Sequence, residues 1–74
     1  MEPASPPAAE RITVALTPRA AAHLALLQQC TGLSKTDIVN RAISLYEWID
    51  ATLASGREIL IRNTDGTVQT VKLL

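Results

Sequence analysis

The sequence has only one cysteine, Cys30, and one histidine, His23. A single cysteine forms no disulfide within the chain, and one cysteine with one histidine is too few for a zinc site. His23 lies off the apolar stripe of its helix, with no nucleophile or orienting group arranged around it. There is no phosphate-binding glycine loop either. We therefore expect an exposed histidine, a half-buried cysteine, no metal, no cofactor and no enzymatic activity.

Long apolar runs and net charge are also missing. Without a run of about 18 apolar residues or a basic-then-hydrophobic N-terminus, we expect no membrane span and no export signal. Seven basic residues balance seven acidic ones, which argues against a protein that binds nucleic acids by charge alone. These absences predict a soluble, cytoplasmic protein. The stretch from Arg11 to Arg41 nevertheless holds four basic residues and one acidic residue, so a modest positive surface is expected there.

Aromatic residues are scarce, since Tyr46 and Trp48 are the only two although 47% of the chain is apolar. The core must therefore consist mainly of aliphatic side chains. A chain of 74 residues is near the size at which folding alone becomes marginal, because only about 60% of its surface can be buried. Association with a second copy is a common remedy.

Residues 11–17, Arg-Ile-Thr-Val-Ala-Leu-Thr, alternate between two kinds of side chain. In a strand, Ile12, Val14 and Leu16 point to one face, and the polar residues with Ala15 point to the other. A strand of about 23 Å, at roughly 3.3 Å per residue, leaves its backbone donors and acceptors unpaired when it is alone. The segment therefore needs a partner strand.

Two capped helices are predicted after this segment. Thr17 and Pro18 mark the start of the first helix, and Gly32 marks its end just after Cys30 or Thr31. The stripe of the first helix consists of Ala20, Leu24 and Leu27, flanked by Ala21 and Leu26.

The second helix is predicted to begin after Ser34, with Asp37 in the position of a capping-box residue, and to end near residues 55–56. Its apolar positions follow the three-four rhythm of an amphipathic helix and span a wide face, which suggests burial from two sides. They are Ile38, Val39, Ala42, Ile43, Tyr46, Ile49 and Leu53, with Leu45 and Trp48 widening the stripe.

The last segment predicts a β-hairpin, with strands over 57–62 and 67–73. A type I turn with Gly66 in the left-handed position gives a three-residue loop, 64–66, and pairs Ile59 with Val71. This register puts Ile59, Ile61, Val71 and Leu73 on one face, with Gln69. A two-residue loop would mix apolar and polar residues on each face.

A strand too short to stand alone can pair with its own copy across a two-fold axis. The apolar side of such an antiparallel ribbon covers four helices, and its other side fits the width of a DNA major groove. Arg11 and Thr13 of each copy then face base edges. The N-terminus of the second helix, with Ser34, Lys35 and Thr36 around it, offers unpaired N–H groups to a backbone phosphate.

The segment 11–17, followed by Thr-Gly-Leu-Ser-Lys-Thr-Asp-Ile-Val-Asn-Arg-Ala-Ile-Ser-Leu-Tyr at 31–46, resembles the ribbon-helix-helix family of bacterial, plasmid and phage repressors of the Arc, MetJ and CopG type. The resemblance covers about residues 10–50 without gaps. It implies an intertwined homodimer that binds operator DNA, often with several dimers side by side. It further implies base reading by Arg11, Thr13 and Ala15, and phosphate anchoring by the backbone at Ser34 and Lys35.

Three regions follow from this interpretation: a disordered tail at 1–9, where three of the four prolines lie, a ribbon-helix-helix domain at 10–55, and a hairpin extension at 56–74. The fold class is α+β, mainly helical. Ten apolar residues are expected in the dimer core: Ile12, Val14, Leu16, Leu24, Leu27, Ile38, Val39, Ala42, Ile43 and Tyr46.

Two alternatives stay open. The chain is, alternatively, a protein-interaction module, such as an antitoxin or a phage accessory protein, that acts on a protein partner through the hairpin at 57–74. The segment 11–17 is, alternatively, a third strand that pairs with the C-terminal strand of the same chain.

Ala15 departs from the resemblance, because family members often place a polar or basic residue at this position. Only the methyl group of Ala15 is available, for example to a thymine methyl.

Overall fold

The computed structural model describes residues 9–72, which form two helices followed by a hairpin. The elements are α1 (Pro18–Thr31), α2 (Lys35–Ala54), β1 (Ile59–Arg62) and β2 (Val68–Val71). The predicted α+β class is therefore correct. The predicted tail at 1–9 lies outside the described residues except for the exposed Ala9, and residues 73–74 lie outside them as well.

Capping residues set the bounds of α1, as predicted. The Thr17 hydroxyl accepts a hydrogen bond from the N–H of Ala20 at 3.1 Å, and Pro18 occupies the first turn. At the other end Gly32 has a φ of 73°, and its N–H donates to the Gln28 carbonyl at 2.9 Å. A left-handed residue ends the helix because it turns the chain away while satisfying a terminal carbonyl.

The same chemistry delimits α2. The Ser34 hydroxyl accepts from the N–H of Asp37 at 3.1 Å. At the C-terminus the N–H of Gly56 donates to the Leu53 carbonyl at 3.0 Å, and the N–H of Arg57 donates to the Thr52 carbonyl at 3.3 Å. These two bonds form a Schellman motif, which leads the chain directly from α2 into β1.

The hairpin has the predicted register, with Ile59 opposite Val71 and Arg62 opposite Val68. The N–H of Asn63 donates to the Thr67 carbonyl at 2.7 Å and closes the three-residue loop. Gly66 takes the left-handed position with a φ of 91°. The strands are shorter than predicted, four residues each. Ile59 and Val71 are half-buried, as expected for the inner face, and the predicted partner Leu73 lies outside the described residues.

Residues 11–17 belong to no strand within one chain. In the described part of the chain the sheet has two strands, β1 and β2. The alternative in which residues 11–17 add a third strand to this hairpin is therefore wrong for the single chain. Thr17, the last residue of this segment, has an extended backbone at φ −64° and ψ 158° and is the N-cap of α1.

α2 is the central element, since α1 and β1 both contact it, and its buried residues lie near its two ends. Ile38, in the first turn of α2, is 8% exposed and Thr52, near the C-terminus of α2, is 6% exposed. Nine further residues in the described part of the chain are half-buried. These residues are Ala20, Leu24, Gln28, Leu33, Ile49, Leu53, Ile59, Asn63 and Val71. The stripe of α1 is thus shifted by one residue from the prediction, because Gln28 is half-buried whereas Leu27 is exposed.

Thr52 is a core residue that apolar periodicity does not find. Its hydroxyl donates to the Trp48 carbonyl at 2.8 Å, and its own carbonyl accepts from the Ser55 hydroxyl at 2.7 Å. A buried hydroxyl costs free energy unless it is hydrogen-bonded, and the preceding helical turn supplies the acceptor. The threonine therefore fits the core without a partner from another element.

Asp65 makes the hairpin turn sensitive to pH. Its Oδ1 accepts from the Thr67 hydroxyl at 2.6 Å and from the Thr67 N–H at 2.9 Å. These two hydrogen bonds, the hydroxyl first, hold the pKa of Asp65 below its ordinary value of 3.8. Because the folded-state pKa is the lower one, the carboxylate stabilises the hairpin fully above about pH 3.8, and this contribution is lost as the pH falls through the folded pKa.

We expect Asp65→Asn to flatten the pH dependence of hairpin stability in that acidic window. Thermal unfolding followed by circular dichroism between pH 2 and 7 measures the effect. Glu10→Gln removes an exposed carboxylate outside the hairpin and is the matched control, which should keep the parent profile. A profile for Asp65→Asn that superimposes on the parent profile would contradict the assignment.

Candidate functional site

The segment predicted to read DNA lies fully exposed ahead of α1. Arg11, Thr13 and Ala15 are all exposed. The apolar side of the segment is equally open, because Ile12 and Val14 are each 60% exposed and Leu16 is 48% exposed. Residues 9–72 of one chain therefore leave both sides of this segment largely uncovered.

The N-terminus of α2 is the second predicted contact. Ser34, Lys35 and Thr36 are exposed there. The Ser34 hydroxyl already accepts a hydrogen bond from the N–H of Asp37. The first N–H groups of a helix have no acceptor within it, so those of Lys35 and Thr36 point outward beside the Lys35 ammonium. This end of α2 combines two N–H donors with the Lys35 ammonium, which suit a phosphate oxygen, and the Asp37 carboxylate lies in the same first turn.

One flank of α2 carries a shallow apolar surface, open to solvent and formed by α2 alone, which we call the groove. Val39, Ala42, Ile43 and Tyr46 line its floor, and Glu47 and Asp50 line its acidic edge. Tyr46 is 63% exposed and Ile43 is 56% exposed. All four floor residues were predicted to lie in a dimer core, and their positions in one chain bring them together on a single surface.

The ten residues predicted for the dimer core divide into two groups. Ile38 is buried and Leu24 is half-buried, so these two already contribute to the packing of α1 on α2 within one chain. The other eight are exposed: Ile12, Val14, Leu16, Leu27, Val39, Ala42, Ile43 and Tyr46.

A second exposed apolar surface lies on the opposite flank of α2. Leu45 and Trp48 are each 57% exposed. At 100° per residue Trp48 falls about 80° from Ile38 on the side away from the groove, and Leu45 falls about 20° from Ile38 on that side. The described part of the chain thus covers the wide apolar face of α2 near its two ends, whereas residues 39–48 between them are exposed. The sequence signal for this arrangement was the width of the stripe.

The hairpin carries a third set of exposed apolar side chains. Leu60 is 55%, Ile61 is 51% and Val68 is 53% exposed. Leu60 and Val68 share the outer face with Arg62, whereas Ile61 belongs to the inner face near the turn. The hairpin contacts α2 through β1, where Ile59 at the open end is half-buried.

His23 and Cys30 lie on α1, and both are exposed. The prediction for His23 is confirmed, whereas the prediction of a half-buried Cys30 is wrong. Cys30 lies about 120° around α1 from the Ala20, Leu24 and Gln28 face, so α2 does not cover it.

Among residues 9–72, no three or more His, Cys, Asp or Glu side chains come together as a metal site. In that same range, neither helix combines the length and the apolar character that a bilayer crossing requires.

No family model, curated protein or solved structure matches the chain. The roles of its residues therefore have to follow from their placement and chemistry.

If a second copy covers the groove, Ile43→Lys should weaken the dimer by about 3 kcal/mol or more. Burial of an isoleucine side chain is worth about 1.5–3 kcal/mol, and both copies lose it. Sedimentation equilibrium of the parent protein and the variant measures the dissociation constant.

Leu45→Lys is the matched control, because Leu45 is 57% exposed against 56% for Ile43 on the same helix. This variant should leave the dissociation constant of the dimer unchanged. Equal effects of the two substitutions, or a parent protein that is a stable folded monomer, would show that the groove is not the dimer surface.

Proposed function

We propose that this chain is a sequence-specific DNA-binding regulator, acting as a repressor, that functions as a ribbon-helix-helix homodimer in the cytoplasm. Residues 11–17 of two copies pair as an antiparallel ribbon. The observation that carries the proposal is the exposure of both Ile12 and Val14 at 60% in the single chain, directly ahead of two capped helices. A strand with an apolar face needs both a partner strand and a surface to cover.

The groove on α2 supports the same arrangement. Val39, Ala42, Ile43 and Tyr46 form an apolar surface that its own chain leaves open. In an intertwined dimer the partner's helices cover this surface, and the apolar side of the ribbon covers the four helices. Removing these side chains from water favours association at about 25 cal/mol per Å² of apolar area.

The polar side of the ribbon carries the reading chemistry. Arg11 can donate a pair of hydrogen bonds to O6 and N7 of guanine, and Thr13 can use its hydroxyl or its methyl group. Ala15 offers a methyl group, which suits contact with a thymine methyl. The reading surface of each copy is therefore small, with one strong donor, and sequence preference should concentrate at the base pair that Arg11 contacts.

Affinity depends on the phosphate contacts at α2. The outward N–H groups of Lys35 and Thr36, beside the Ser34 cap, fix the dimer against the DNA backbone. Because the chain has no net charge, few phosphates are neutralised, and each adds roughly 0.9 to the slope of log affinity against log salt. We expect weak non-specific binding and a shallow salt dependence, so adjacent dimers on one operator would add the affinity that a single dimer lacks.

A protein-interaction module, such as an antitoxin or phage accessory protein, is the second candidate function. The exposed Leu60 and Val68 on the outer face and Ile61 on the inner face favour it, because within residues 9–72 these apolar side chains stay uncovered. A gene for a toxin-like protein beside this one would favour that function. A palindromic site in its own promoter would favour the repressor.

Selection of bound sequences from random DNA, at two salt concentrations, tests the proposal. A dimeric reader should enrich two related half-sites, and the enriched site should lose affinity only slightly as the salt concentration rises. Failure to enrich any sequence at either salt concentration would refute sequence-specific binding and favour the interaction module.

On the selected site, Arg11→Ala should cost about 1–3 kcal/mol and relax the preference at one base position in each half-site. Arg19→Ala is the matched control, because it removes the same charge from an exposed position on α1. Binding isotherms on the parent site and on single-base variants separate the two outcomes. Unchanged affinity of Arg11→Ala, with the dimer intact, would remove Arg11 from the reading surface.

A further inference from the structure

The β1 strand has an outer edge that no strand covers within residues 9–72. Backbone groups alternate in direction along an antiparallel strand. Asn63 is hydrogen-bonded to Thr67, so Ile61 and Ile59, two and four residues earlier, also direct their backbone groups toward β2. The N–H and C=O groups of Leu60 and Arg62 therefore point to the opposite side, and Glu58, which directly precedes β1, would continue this alternation in a longer seam. We call these three residues the β1 edge.

The side chains of the β1 edge are exposed as well. Leu60 is 55% exposed, and Glu58 and Arg62 are exposed at either side of it. Leu60 and Arg62 lie on the outer face of the hairpin, away from the half-buried Ile59 and Val71, and Glu58 directly precedes β1. An exposed edge with an apolar centre is a template for pairing with another strand.

The sequence of this edge is complementary to itself. In an antiparallel pair of two β1 strands with the two-fold axis at Leu60, Leu60 lies opposite its own copy and Glu58 lies opposite Arg62 of the copy. On the other face Ile59 lies opposite Ile61. The pairing joins groups that already point outward, so it forms hydrogen bonds without disturbing β2.

Other registers on this edge lose that complementarity. Centring the axis on Ile59 puts Glu58 opposite Leu60, and centring it on Ile61 puts Arg62 opposite Leu60. Only the axis at Leu60 pairs opposite charges at both ends and apolar residues in the middle. Opposite-charge and apolar pairs directly across an antiparallel seam each stabilise it by roughly 0.2–1 kcal/mol.

We propose that the β1 edge is a self-association surface, on which the β1 edge of a second copy pairs antiparallel with the axis at Leu60. The product is a continuous four-stranded sheet in the order β2-β1-β1-β2. A two-fold contact of this kind uses the same residues on both copies, so it closes on itself at this surface. It is separate from the groove on α2 and from residues 11–17, and it does not depend on DNA binding.

Charge reversal tests the seam. Arg62→Glu places two carboxylates across each end of the seam, and it should weaken this association about tenfold or more, since two pairs change from attraction to repulsion. Arg62 faces Val68 within its own hairpin, so the hairpin itself loses no charge pair. Sedimentation equilibrium in the Ile43→Lys background isolates this association from one through the groove.

Thr70→Glu is the matched control. It adds a carboxylate to the same outer face, but on β2, about 10 Å from the partner's strand when adjacent strands lie roughly 4.8 Å apart. This variant should associate as the parent protein does. A 1:1 mixture of Arg62→Glu with Glu58→Arg should also recover association, because the mixed seam pairs opposite charges at both ends.

A cross-link tests the register directly. Hydrogen-bonded antiparallel pairs place their Cα atoms about 5.5 Å apart, within the range of a disulfide. Leu60→Cys in a Cys30→Ser background should form a dimer linked by a disulfide under mild oxidation, whereas Thr70→Cys in the same background should not. Equal cross-linking of both variants, an association unaffected by Arg62→Glu, or a mixture that fails to associate would overturn the proposal.

Discussion

The apolar surface of α2 is wider than one chain can cover, and the other features of the molecule follow from that excess. Ile38 in its first turn and Thr52 near its last turn are buried, while Ile43 and Trp48 between them stay more than half exposed. A domain this small has too few residues to enclose a helix from every direction. The second copy proposed above would cover the groove side of this surface.

Local chemistry made much of the fold predictable. The bounds of α1 and α2 follow from side-chain caps at Thr17 and Ser34 and from the left-handed Gly32, each of which acts within a few residues. The hairpin register follows in the same way, because a glycine at Gly66 fixes the loop length and the loop length fixes the pairing. Such features need no knowledge of distant parts of the chain.

Features that depend on distant contacts were less predictable. The width of the α2 stripe can be read from the sequence, but which part its own chain covers depends on where α1 and the hairpin pack. Burial of Thr52 is tolerated because its hydroxyl has an acceptor one turn earlier. A search for periodic apolar residues does not find such a polar core residue. The partner strand of residues 11–17 is unpredictable for a different reason, since no strand in the described part of one chain pairs with them. The proposed roles of Arg11, Thr13 and Lys35 therefore depend on an assembly of at least two chains.

The connection between the helices has a mechanical consequence. Only Leu33 separates the glycine that ends α1 from the serine that begins α2, and Leu33 is itself half-buried. Both neighbours are held by hydrogen bonds, at 2.9 Å for Gly32 and 3.1 Å for Ser34. So short a link gives α2 little freedom to reorient relative to α1. Inserting one residue there would change the direction of α2 relative to α1, so the length of this connection sets the direction in which the Lys35 end of the molecule faces.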